Sequence, residues 1–151
     1  MEVLEMERDY YFAYGSNMDE EQMQYRCPDA VKVGQALLPC FRFAIDSACV
    51  ATVINAPTEY VEGILWEISS DDERSLDVYE GVRSGCYSKQ YLSVCMKDGS
   101  LIEPLVYVSN RPEWDHSTGT ASSYMNRILE CAEINGFSDN YVARLAQYAR
   151  S

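Results

Sequence analysis

Strand-like runs dominate the first two-thirds of the chain, and several of them alternate apolar and polar residues, the period of half-buried antiparallel strands. The runs are "DYYFAY" (9–14), "AVKVGQALLP" (30–39), "CFRFAID" (40–46), "CVATVIN" (49–55), "YVEGILWEI" (60–68), "YSKQYLSVCM" (87–96) and "LIEPLVYVS" (101–109). "KDGS" (97–100) between the last two has the composition of a hairpin turn. Pro39 and Pro104 predict edges, bulges or breaks, because proline donates no ladder hydrogen bond. Helical signals are fewer. "MDEEQMQYR" (18–26) places acidic residues where a short helix would begin. "SDDERSLDVYEG" (70–81) opens on a capping box, Ser70-x-x-Glu73, and closes on Gly81 as a stop. "ASSYMNRILECAEINGFSDNYVARLAQYA" (121–149) predicts two helices split at Asn135-Gly136, the second capped by Ser138. Strands followed by terminal helices make an α+β domain, and their number predicts a strongly curled sheet or small barrel flanked by helices.

Composition narrows the function classes. The chain has 151 residues and is 47% apolar, which suits one domain with a real core. Its 12 tyrosines exceed what such a core needs, so some are expected to line a polar pocket. A net charge of −12 disfavours nucleic acid and anionic membranes as partners and mildly favours cationic small molecules. No apolar run approaches the ~18 residues of a membrane span. The start, "MEVLEMERD", is acidic and lacks the pattern of a signal peptide. Residues 1–9 are therefore expected to form a flexible acidic segment ahead of a domain at 10–151. Six cysteines show no C-x-x-C spacing and, without a secretion signal, are expected to be reduced thiols of a cytoplasmic protein. The single histidine, His116, cannot build a multi-histidine zinc site and is expected at the surface.

Two stretches carry candidate chemistry. In "YFAYGSNM" (11–18) an apolar strand breaks into Gly-Ser-Asn, either an ordinary strand-ending turn or one that offers backbone N–H groups to an anion. In "LDVYEGVRSGCY" (76–87), Glu80 falls at the carbonyl end of the capped helix. Partial burial there would raise its pKa toward the range useful for general acid–base work; a solvated glutamate is the plain alternative. Asp77 and Glu80 could share a helix face, but glycosidase carboxylates usually come from different elements. Cys86 and Ser16 lack a histidine base, and "YGSN" is neither G-x-S-x-G nor a phosphate loop.

Together, "YFAYGSNM" and "EGV-x-SG-x-Y" resemble the signatures of the γ-glutamylcyclotransferase family. The likeness runs from Tyr10 to about Tyr148 and includes "VATVINAP", "VEGILWEI" and "SSYMNRILECAEINGF". It is closest to the animal-type enzymes that act on γ-glutamyl-amino acids. Met18 stands where leucine is usual, a volume-conserving change. The resemblance implies a small, closed or nearly closed β-barrel with helices, and a substrate pocket at one mouth. It implies a small-molecule γ-glutamyl substrate whose α-amine attacks its own γ-carbonyl, releasing 5-oxoproline and an amine or amino acid. It implies no metal and no cofactor, and it allows a homodimer. The site residues it implies begin with Glu80 as the acid–base group. The segment Tyr11, Phe12, Ala13, Tyr14, Gly15, Ser16 and Asn17 leads into and forms an anion grip. Tyr87, Tyr107 and Tyr124 complete the pocket, in decreasing order of motif support. Read alone, Tyr11 and Tyr25 are packing residues. Two alternatives stay open: specialisation for γ-glutamyl-amines such as an isopeptide or acylated aminoglycoside, and a catalytically silent binding module on the same fold.

Overall fold

The computed structural model of the protein describes residues 8–115 and 122–149. Residues 1–7 of the expected flexible segment, and His116, lie outside the described residues, whereas Arg8 and Asp9 already belong to the first strand. In chain order the elements are β1 (Arg8–Ala13), α1 (Glu20–Arg26), β2 (Val31–Ile45), β3 (Ala51–Ser69), α2 (Ser70–Tyr79), β4 (Tyr87–Tyr91), β5 (Val94–Met96), β6 (Leu101–Ile102), β7 (Leu105–Ser109), α3 (Ser122–Ile134) and α4 (Asp139–Ala146). Short 3₁₀ turns follow β1 at Ser16–Met18 and α4 at Gln147–Ala149. The strands form one mixed sheet in the order β4-β7-β1-β3-β2-β5-β6, in which β1 runs parallel to β7 and the other pairs are antiparallel. The expected barrel is realised as a curled half-barrel with β4 and β6 at its edges.

The centre of this sheet explains why "DYYFAY" and "GILWEI" alternate poorly. β1 lies between β7 and β3, and β3 lies between β1 and β2. Both are covered on two faces, so Tyr11, Phe12, Ala13, Ile64, Leu65 and Trp66 are all buried. Helix α3 contributes Met125, Ile128 and Ala132 to the same core. Gly63 is the tightest point. A Cβ there would stand 2.6 Å from Cζ of Phe12 and 2.5 Å from the Ala13 carbonyl oxygen, so only glycine lets β3 approach β1. Gly63→Ala is expected to destabilise the fold by ~2–3 kcal/mol in chemical denaturation, the scale of an overpacked core.

Several sequence expectations change in detail. The runs at 30–39 and 40–46 are one strand, bent where the register jumps from Pro39 opposite Tyr60 to Phe41 opposite Asn55. Between these pairs β2 has one residue, Cys40 with φ +66°, and β3 has four, 56–59, an irregularity that helps the long β2–β3 hairpin curl. The runs at 49–55 and 60–68 likewise merge into β3. Conversely, 87–96 divides into β4 and β5, and 101–109 divides at Glu103-Pro104 into β6 and β7. The divisions let β4 and β7 pair with each other at one edge while β5 and β6 pair at the other. The capping box lies one residue early. The Ser69 hydroxyl accepts from the Asp72 N–H at 3.2 Å, and the Asp72 carboxylate accepts from the Ser69 N–H at 3.1 Å. Tyr25, expected in packing, is 81% exposed. Among the described residues no helix is long and apolar enough to cross a membrane.

Candidate active site

The turn after β1 is built from its sequence in three steps. Gly15 opens the 3₁₀ turn at Ser16–Met18, with the Met18 N–H closing onto the Gly15 carbonyl at 3.1 Å. Asp19 then caps α1, accepting from the Glu21 N–H at 3.0 Å. α1 in turn locks the loop. Gln22 Nε2 donates to Ser16 Oγ at 2.8 Å and to Asn17 Oδ1 at 2.9 Å, and Arg26 Nη1 donates to Asn17 Oδ1 at 3.0 Å. Arginine is only a donor, so the Asn17 atom facing it is the oxygen. The Asn17 NH₂ therefore donates to Tyr11 Oη, 3.0 Å away.

Glu80 arrives from the other direction. It is the C-cap of α2, its N–H donating to the Leu76 carbonyl at 2.8 Å. Gly81 follows with φ +62°, the left-handed residue that ends the helix and turns the chain toward β4. Glu80 and the turn meet in a cavity of about 280 Å³. Burial raises the Glu80 carboxyl from its ordinary value to about 7; the Arg26 and Arg111 guanidinium groups oppose the rise, and Asp46 adds to it.

Of the residues singled out from sequence, Tyr11, Tyr14, Gly15, Ser16, Asn17, Glu80, Tyr87, Tyr107 and Tyr124 all line this cavity. Phe12 and Ala13 do not; they are core residues, and Phe12 packs against Gly63. The five tyrosines divide by what their hydroxyls do. Tyr14 donates to the Tyr107 carbonyl, Tyr87 to the Ala51 carbonyl at 2.7 Å, and Tyr107 to Asp77 at 2.7 Å. Their protons are committed to the framework. Tyr11 accepts from Asn17, and Tyr124 accepts from the Ala51 N–H at 3.2 Å. An accepting hydroxyl keeps its own proton for another acceptor, so these two can donate into the cavity. Asp77 is no partner of Glu80: it also takes Lys89, with Nζ 3.0 Å from its carboxylate.

Three residues escaped the sequence reading. Arg26 and Arg111 line the cavity, and Asp46 sits fully buried behind Arg111. Arg26 also lies over Tyr79, its guanidinium carbon 4.2 Å from the ring centre. Proximity to Asn17 in sequence was the one available hint for Arg26; nothing local ties Asp46 to Arg111. Among the described residues no group of three or more His, Cys, Asp or Glu side chains is arranged to hold a metal.

Residues 60–145 match the family model described as "AIG2-like family". The chain is 30% identical to the "Gamma-glutamylcyclotransferase" of Mus musculus, over 89% of this chain and 76% of that protein, and equally to that of Bos taurus over the same shares. A solved structure titled "Gamma-glutamyl cyclotransferase" superposes with a TM-score of 0.83 at 26% identity, covering 96% of this chain and 90% of that one.

Proposed function

The chain belongs to the γ-glutamylcyclotransferase family, and from that premise we propose that it converts a γ-glutamyl compound to 5-oxoproline and a free amine or amino acid, with Glu80 as the acid–base group. The observation that carries this reading is the meeting of a carboxyl raised to about 7 with the Gly15–Asn17 turn in one cavity. A carboxyl near neutrality can take a proton and return it at physiological pH.

The chemistry needs little else. The nucleophile and the electrophile belong to one substrate, so once the glutamyl chain is folded back its amine attacks at high effective concentration. The turn's main-chain N–H groups suit the glutamyl α-carboxylate, with Arg26 adding positive charge at the same side. Glu80, ionised, takes a proton from the α-ammonium. The freed amine forms the ring C–N bond, and charge moves onto the γ-carbonyl oxygen. Tyr11 and Tyr124 supply hydroxyl protons that can stabilise that oxygen without transferring. As the oxygen's charge returns, the bond to the leaving nitrogen breaks and Glu80 gives that nitrogen its proton; Glu80, ionised again, takes the second proton of the ring nitrogen and passes it to the freed amine, which departs as its ammonium ion. Atoms balance without water: one γ-glutamyl compound yields one 5-oxoproline and one amine.

The test is a panel of γ-glutamyl-amino acids and γ-glutamyl-amines incubated with the purified chain, followed by chromatography for 5-oxoproline. At least one member is expected to release it. Release from none would favour a binding module.

A further inference from the structure

The cavity's charge opposes that of the molecule. The whole chain carries −12, yet two of its 12 Lys and Arg residues stand in this wall, and Glu80 is the one acid among the lining residues. The two guanidinium groups are held differently. Arg26 is tied to the turn through Asn17 and lies over Tyr79. Arg111 follows β7 and is tied to the β2–β3 connection. Its Nε donates to Asp46 at 2.9 Å, and its guanidinium carbon lies 5.4 Å from the centre of the Tyr87 ring. Asp46 is a rigid anchor. One of its oxygens accepts from the Ala48 N–H at 2.8 Å and the Val50 N–H at 3.3 Å; the other accepts from Ser109 Oγ at 2.6 Å as well as from Arg111. Asp46 is entirely buried, whereas the Arg111 side chain is 28% exposed and reaches the cavity.

A guanidinium bound through Nε keeps four further N–H groups on its two terminal nitrogens, the fork that fits a carboxylate. A γ-glutamyl-amino acid brings two carboxylates. The turn and Arg26 account for the glutamyl one. We propose that Arg111, oriented by Asp46, binds the carboxylate of the departing amino acid and so selects γ-glutamyl-amino acids over γ-glutamyl-amines that lack it. The inference rests on the cyclotransferase reading above. It also reverses the expectation drawn from net charge, because a cationic leaving amine would face Arg111 and be repelled at close range.

The test compares γ-glutamyl-alanine with γ-glutamyl-ethylamide, which differ only in that carboxylate. The native chain is expected to favour the alanine compound in kcat/KM by ~10- to 100-fold, the scale of a charge-assisted hydrogen bond. Arg111→Gln should bring the two within ~3-fold, through loss on γ-glutamyl-alanine alone, and Arg111→Lys should recover part of the preference because it restores the charge without the fork. Equal losses on both substrates would mark Arg111 as merely structural and overturn the proposal. A native preference below ~3-fold would overturn it without any variant. Inactivity of the native chain on both compounds would overturn this inference, and only inactivity on the whole γ-glutamyl panel would overturn the cyclotransferase reading as well.

Discussion

Glu80→Gln is expected to bind a γ-glutamyl ligand at near-native affinity and to turn it over ~10²-fold or more slowly, the scale for a removed general base. Glutamine keeps the size and the hydrogen bonding of the side chain but cannot accept and return a proton. The carboxyl it replaces has been raised to about 7 by burial, against the pull of Arg26 and Arg111. On the proposed mechanism the catalytically ready form is the carboxylate, so kcat/KM should rise with pH and level off above about 7. The substrate's own ammonium shapes the same profile, which makes the variant's profile the necessary comparison. Stability supplies an independent readout. A carboxyl whose folded-state pKa exceeds its unfolded one binds more protons when folded. Native stability should therefore fall as pH rises from about 4.5 to about 7, by ~1–3 kcal/mol after allowance for partial exposure. Glu80→Gln has no such proton to lose, so it should be the more stable protein at pH ~8, measured by urea denaturation. A variant that turned over at native rate would remove Glu80 from the chemistry.

The second large effect is expected at Gly15. A Cβ there would stand 3.1 Å from Ala51 Cβ and 3.3 Å from Tyr124 Oη, so the turn is pressed against the start of β3 and against α3. Valine adds two methyl groups beyond that Cβ and must push the turn, Tyr124 or both. A displacement of ~1 Å in a positioning element can diminish catalysis by ~10²-fold. Gly15→Val is thus expected to weaken apparent affinity for a γ-glutamyl substrate by ~10²-fold while the circular dichroism spectrum stays native. Ser16→Ala should have a smaller effect, because its hydroxyl is engaged by Gln22 rather than committed to the cavity alone. Unchanged affinity in Gly15→Val would mean that this turn does not hold the substrate.

Local features of the site were legible in the sequence where they follow from the backbone. A strand ending in Gly-Ser-Asn, and a helix stopped by Gly81 directly after Glu80, are both visible as residue types in order. The helical split at Asn135-Gly136 and the Ser138 cap, which accepts from the Tyr141 N–H at 3.3 Å, were readable for the same reason. What lay hidden depends on distant parts of the chain. Pro39 marked an irregularity in β2, but whether the strand breaks or bulges is decided by β3 opposite Cys40. The Ser69–Asp72 box competed with Ser70–Glu73 at the same spacing, and the choice falls where β3 ends. Asp46 and Arg111 meet only because β2 and β7 bring their ends together at Ser109 and Asp46. The tyrosines could be assigned to a pocket by resemblance, but which hydroxyls donate and which accept follows only from Asn17, Ala51 and Asp77.

On the proposed mechanism the γ-carbonyl is attacked by the substrate's own amine and not by water. That attack is tested most directly by running the reaction on γ-glutamyl-alanine in ¹⁸O-enriched water and weighing the products by mass spectrometry. Intramolecular attack gives 5-oxoproline of unchanged mass beside free alanine. Hydrolysis through the same cavity would give glutamate carrying one ¹⁸O in its γ-carboxylate, and that product would contradict the mechanism.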